Sequence, residues 1–105
     1  MSDQTIKHDA HKPRISLVPP AIIRAVARIR EFGLAKYPAG GRDNWKQVEP
    51  ERYVDALGRH YLAVMQDYKS IDPESGMPHM WHIACNAAFI IQLMDDSVTG
   101  EEGDN

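Results

Sequence analysis

A single cysteine, Cys85, stands in a chain of 105 residues, so no intrachain disulfide can form. Its neighbours are apolar, and the expectation is a small core residue in a cytosolic, cytoplasmic chain. No apolar run reaches the roughly 18 residues that mark a membrane-spanning helix, so no membrane partner is expected. Met1 to His11 is polar and lacks the apolar core of a signal peptide. An excess of positive charge is missing as well. The net charge of −3 argues against binding a nucleic-acid polymer through a basic stripe. It leaves a single nucleotide open as a ligand, because a few well-placed cations suffice for that. Low-complexity tracts and internal repeats are absent. So are a Gly-Lys-Ser/Thr phosphate loop, a Gly-x-Ser-x-Gly elbow and a Cys-x-x-Cys pair. The one His-Asp dipeptide, His8-Asp9, lies in a segment expected to be frayed and gives no support for a His-Asp phosphohydrolase.

What is present reads as one small domain. Residues 1–10 are expected to be a flexible arm, residues 11–95 a single helical domain, and residues 96–105 a disordered acidic tail. In Lys12-Pro13-Arg14-Ile15-Ser16-Leu17-Val18-Pro19-Pro20 the prolines disfavour helix. The reading there is an extended arm that packs Ile15 and Leu17 on the helices and turns its two cations toward a site. Apolar residues then recur at helical spacing three times. The pattern predicts helices near 20–37, 50–67 and 78–95, separated by two loops rich in glycine, proline and small polar residues. The fold class is all-α: a small bundle of three main helices preceded by the arm. The third helix is apolar on more than one face, so completion by homo-oligomerisation, to a homodimer or higher, is expected.

That third helix also carries a polar stripe. His79, His82 and Asn86 fall at i, i+3 and i+7, on one face of an otherwise apolar segment. Buried polar groups need partners, because each one left unpaired costs a few kcal/mol. The nearest candidates in the preceding helices are Glu31, Asp55, Arg59 and His60. Carboxylates and imidazoles in one place can hold a divalent metal or move protons. Structural roles compete with this: Asp55 pairing Arg59 on the helix surface, and histidines donating to backbone carbonyls. A second candidate set is Lys12, Arg14, Lys36 and Arg59, whose cations suit phosphate oxygens but also suit an ordinary solvated surface. A third is Trp45 with Asn44, able to stack on a base and read its edge; the competing role for Trp45 is covering the end of the bundle.

Several of these segments, taken in order, resemble one family. They are Lys12 to Pro20, Glu31-Phe32-Gly33 with Lys36-Tyr37, Asn44-Trp45, and Arg52-Tyr53-Val54-Asp55-Ala56-Leu57 with Arg59-His60. Ile71-Asp72-Pro73-Glu74-Ser75-Gly76 and His79 with His82 complete the set. The chain is similar to the phage-associated dATP/dGTP diphosphohydrolase N-terminal domain family, over about Lys12 to Leu93. The resemblance implies a small all-helical phage or prophage protein that handles purine deoxynucleoside triphosphates. It implies release of pyrophosphate to leave a monophosphate, with Mg²⁺ or Mn²⁺ as cofactor. The related all-α (MazG-like) pyrophosphatases hold Mg²⁺ on Glu-x-x-Glu and Glu-x-x-Asp pairs, and neither pair lies in the expected helices here.

Two readings follow. In the first, an enzyme, Glu31 and Asp55 hold the metal or activate water, and His60 and His82 share the catalytic work. His79 and His82 complete the metal set. Lys12, Arg14, Lys36 and Arg59 grip the phosphates, while Trp45, Asn44 and Asn86 hold the purine. In the second, the same cations and aromatic groups serve a non-catalytic sponge that sequesters a nucleotide such as a cyclic defence signal.

Overall fold

The computed structural model describes residues 10–102. The expectation for residues 1–9, part of the flexible arm, lies outside the described residues. The fold is all-α: α1 runs Ala21–Lys36, α2 Pro50–Gln66 and α3 His79–Glu102. The boundaries have local causes. Pro19 and Pro20 lead into the first turn of α1, where a missing N–H costs nothing. α1 stops at Tyr37, which precedes Pro38 and has left the helical region with a ψ of 76°. Gly40 then takes a left-handed φ of 88°, and a Cβ there would meet the Cβ of Asn44 at 3.0 Å. Only glycine fits that turn. A 3-10 turn over Gly41–Gln47 follows, and Pro50 opens α2 at its first turn.

α3 is the central element, and α1 and α2 each pack on it rather than on one another. The described interior is small and half polar. Ala25, Ile29 and Cys85 are its buried apolar residues, and Asp72, His82 and Asn86 its buried polar ones. The helices therefore stand apart around a cleft rather than around a dry core.

Two expectations need correction. The proline-rich arm contains a 3-10 turn over Ile15–Leu17, closed by Leu17 N–H to the Arg14 carbonyl and Val18 N–H to the Ile15 carbonyl, both at 3.0 Å. Ile15 and Leu17 are 74% and 68% exposed, so they do not anchor the arm on this chain's helices. α3 also continues through the start of the expected acidic tail to Glu102. Propagating a formed helix adds one hydrogen bond per residue fixed, so polar composition alone does not stop it.

Candidate nucleotide and metal site

α1, α2 and α3 enclose an open cavity of about 600 Å³. Helical periodicity decides which residues reach it. On α2, Arg52, Tyr53, Ala56, Arg59 and His60 occupy one arc, and on α3, His82, Cys85, Asn86 and Phe89 do the same.

One wall is aromatic. Trp45 stacks on Phe89 with ring centres 4.6 Å apart and planes inclined by 16°. Tyr53 lies against the same ring at 4.7 Å, and its hydroxyl donates to the Trp45 carbonyl. The Arg30 guanidinium sits 5.3 Å from the Phe89 ring centre while donating to the Arg42 carbonyl. Trp45 thus ties the Gly41–Gln47 turn to α3 and still lines the cavity.

About two turns along α2 and α3 the cavity is polar, and the loop between these helices completes it. That loop is closed at its base by the antiparallel pairing of Ile71 with Pro78 and by His79 N–H to the Ser70 carbonyl at 3.0 Å. At its tip, Asp72 N–H donates to the Met77 carbonyl and Gly76 N–H to the Asp72 carbonyl, each at 2.8 Å. Ser75 N–H donates to Asp72 Oδ2 at 3.0 Å, and Ser75 Oγ lies 2.7 Å from His82 Nε2. Asp72 Oδ2 is 3.3 Å from the same His82 nitrogen. Both partners meet one imidazole nitrogen, so this is not a nucleophilic triad, in which serine and carboxylate take opposite nitrogens. His60 stacks on His82 at 4.4 Å with planes inclined by 5°, and its Nδ1 lies 2.8 Å from His79 Nδ1.

Burial and mutual repulsion set the protonation of this cluster. His60 is held below the usual histidine range by burial first, then by the imidazoles of His82 and His79. Burial also lowers His82, against the opposing pull of Asp72. For Asp72, burial pushes the carboxyl upward, but hydrogen bonds from Ser75 and the neighbouring imidazoles outweigh it and the net shift is downward. These shifts favour an Asp72 carboxylate beside neutral His60 and His82.

The residues singled out from sequence separate clearly. His60, His82, Asn86, Arg59, Lys36, Asn44 and Trp45 line the cavity, and His79 adjoins it through His60. Asn44 donates its amide hydrogens to the carbonyls of Tyr37 and Ala39 at 2.7 and 3.2 Å, so it braces the turn. Asn86, nine-tenths buried, donates to the His82 carbonyl at 2.9 Å. Glu31 and Asp55 do not join the histidines. Glu31 points away on the far face of α1 and pairs with Arg28 at 3.2 Å; Asp55 is exposed, outside the cavity-facing arc of α2. An Asp55–Arg59 pair is not found among the described residues. Lys12 and Arg14 lie with His11 and Ser16 at a separate surface depression. The carboxylates at the cavity are instead Asp72 and Glu74, the latter paired with Lys36 across the mouth. Their segment, Asp72 to Gly76, was among the stretches that carry the family resemblance, and that was the signal available for them.

The cleft of this all-α domain thus brings an aromatic cluster, arginines and a histidine–aspartate cluster to one cavity. The comparison with known proteins makes this more specific: residues 2–103 match the family described as dATP/dGTP diphosphohydrolase, N-terminal, and the chain belongs to it. It is 35% identical over 97 residues to a dATP/dGTP diphosphohydrolase of Salmonella phage PMBT28, covering 92% of this chain and 32% of the relative. The chain therefore spans about a third of the length of the curated relative it matches. No solved structure matches the chain. No helix among the described residues is long and apolar enough to cross a membrane.

Proposed function

We propose that the cleft binds a purine deoxynucleoside triphosphate, dATP or dGTP, and that the domain takes part in its hydrolysis to the monophosphate and pyrophosphate. The observation that carries this reading is a cavity with two chemically distinct ends: an aromatic cluster of Trp45, Phe89 and Tyr53 and, about two turns along α2 and α3, a polar cluster of His60, His82 and Asp72. A purine ring belongs against the aromatic wall, where stacking is available to either base. The phosphates belong near Arg52 and Arg59, whose forked donors match phosphate oxygens, with Lys36 at the rim. Asn86 has amide chemistry fitted to the edge of a purine. The relative's printed activity supports the hydrolytic half of the proposal. In such hydrolysis a divalent cation, Mg²⁺ or Mn²⁺, polarises the phosphoryl oxygens. The described carboxylates at the cavity, Asp72 and Glu74, do not make the all-oxygen cage of an acidic pyrophosphatase, and the histidines around Asp72 suit a more nitrogen-loving ion.

The test is incubation with dATP, dGTP, ATP and dCTP, with and without Mg²⁺ or Mn²⁺, followed by chromatography of bound and released nucleotides. The expected result is metal-dependent appearance of dAMP or dGMP with pyrophosphate. Retention of intact purine nucleotide without product supports the sponge reading instead. That reading is favoured by the lack of Glu-x-x-Glu and Glu-x-x-Asp pairs within α1, α2 and α3. Equal indifference to purine and pyrimidine nucleotides overturns both.

A further inference from the structure

We propose that His60, Asp72 and His79 form a binding site for a divalent first-row transition metal, Zn²⁺ or a close neighbour, and not for Mg²⁺. The three residues come from α2, from the loop after it and from the first position of α3. One ligand atom from each lies within 4.8 Å of the other two. Two imidazoles and one carboxylate are the donor set of three-ligand metal sites that keep a further position open. Magnesium prefers an octahedral shell of oxygens, and this cluster offers two nitrogens to one carboxylate.

The contact between the two rings points the same way. At 2.8 Å, His60 Nδ1 and His79 Nδ1 share one proton between two lone pairs. A cation can take the place of that proton. With metal–nitrogen distances of about 2.0–2.1 Å, a tetrahedral ion sets its nitrogen ligands about 3.3 Å apart. The rings must part by about half an ångström and tilt so that both lone pairs converge on the ion, and the Asp72 carboxylate must swing in by a side-chain rotation. Asp72 is held within reach of both rings. Ser75 N–H holds its Oδ2, and Ser75 Oγ and His82 Nε2 close a ring of hydrogen bonds around it. Carboxylates braced in this way are the usual support of a metal ligand. His60 and Asp72 line the cavity, so an open coordination position would face the same space as the bound nucleotide.

The test uses purified full chain and no nucleotide, so its outcome is separate from that of the nucleotide reading. Apo protein is titrated with Co²⁺ and followed by visible absorption, then challenged with Zn²⁺ and with Mg²⁺. The expected result is one Co²⁺ per chain with an intense tetrahedral-type band, displaced by Zn²⁺ and unaffected by millimolar Mg²⁺. His60→Gln, Asp72→Asn and His79→Gln should each abolish the band, and Ser75→Ala should weaken affinity roughly 10–100-fold, as loss of a supporting hydrogen bond does. Glu31→Gln and Asp55→Asn should bind as wild type. Circular dichroism checks that each variant folds. Should a ligand variant fail to fold, proton NMR of wild type with substoichiometric Co²⁺ decides, by selective broadening of the His60 and His79 ring signals over that of His11. Absence of Co²⁺ binding, binding that survives in the folded ligand variants, or broadening centred on His11 overturns the proposal.

Discussion

Cys85 shows how much one side chain can report on this fold. It is 3% exposed, and burial pushes its thiol from an ordinary 9.0 up to about 11. At pH 8 the native thiolate is thus about 100-fold scarcer than in the unfolded chain, and limited access slows attack further. Iodoacetamide should leave native protein unlabelled over times that label it fully in guanidinium, as mass spectrometry will show. The pH dependence has a definite sign. The unfolded thiol ionises as pH rises through 9.0 and the folded one only near 11, so this contribution to stability is whole below pH 9 and is lost between those values. Urea midpoints at pH 8 and pH 10 should fall more for wild type than for Cys85→Ala. Arginines invite a second comparison. Arg59 lines the cavity and Arg14 lies in a separate depression. Arg59→Ala should weaken triphosphate binding by about 1–3 kcal/mol, and Arg14→Ala by much less, in calorimetric titrations. Equal losses would return the arm to the site. His82, Asn86 and Arg59 were legible in the sequence because their i+3, i+4 and i+7 spacings survive in any helix. The same spacing did not show which way Glu31 and Asp55 face, since that depends on where α3 lies against α1 and α2.

Among the elements, the connection between α2 and α3 departs most from what its sequence suggests. Its prolines and small polar residues read as a surface crossing, and the three helices on either side of the loops were readable from apolar periodicity. The chemistry of Asp72 and Ser75 was not, because it depends on turn hydrogen bonds that have no period. Gly76 sits at the pivot with a φ of 74°, and a Cβ there would meet nothing within 4 Å. The cost of Gly76→Ala is therefore conformational, about 1–2 kcal/mol for the left-handed setting. A loss of roughly 4–16 °C in Tm is expected by calorimetry. Gly76→Asn should lose less, because asparagine tolerates that conformation. Co²⁺ affinity should weaken in Gly76→Ala if the turn aims Asp72 at the metal.

At the scale of the whole molecule, a row of apolar side chains on α3 faces outward. Ile91, Met94 and Val98 are 65%, 64% and 55% exposed. With Met80, Ala84 and Ala87 they keep alternate spacings of four and three along α3, on the face turned from the cavity. We propose that this seam, with Val54, Tyr61 and Met65 on the back of α2, joins two or more copies. Light scattering at micromolar concentration should give a multiple of 11.9 kDa, and Ile91→Asp should lower it. A monomeric wild type would refute this. One further consequence comes from the placement of α1 and α2, each seated on α3 and not on the other. In mechanical terms the domain is a caliper, with α3 as its beam and the other two helices as jaws. The Lys36–Glu74 pair across the gap is an exposed contact of the kind that contributes little. Whatever lodges between the jaws supplies the bracing that the chain leaves out. The gap should therefore stiffen on loading, and amide hydrogen exchange in the facing turns of α1 and α2 should slow together while that of the arm stays unchanged.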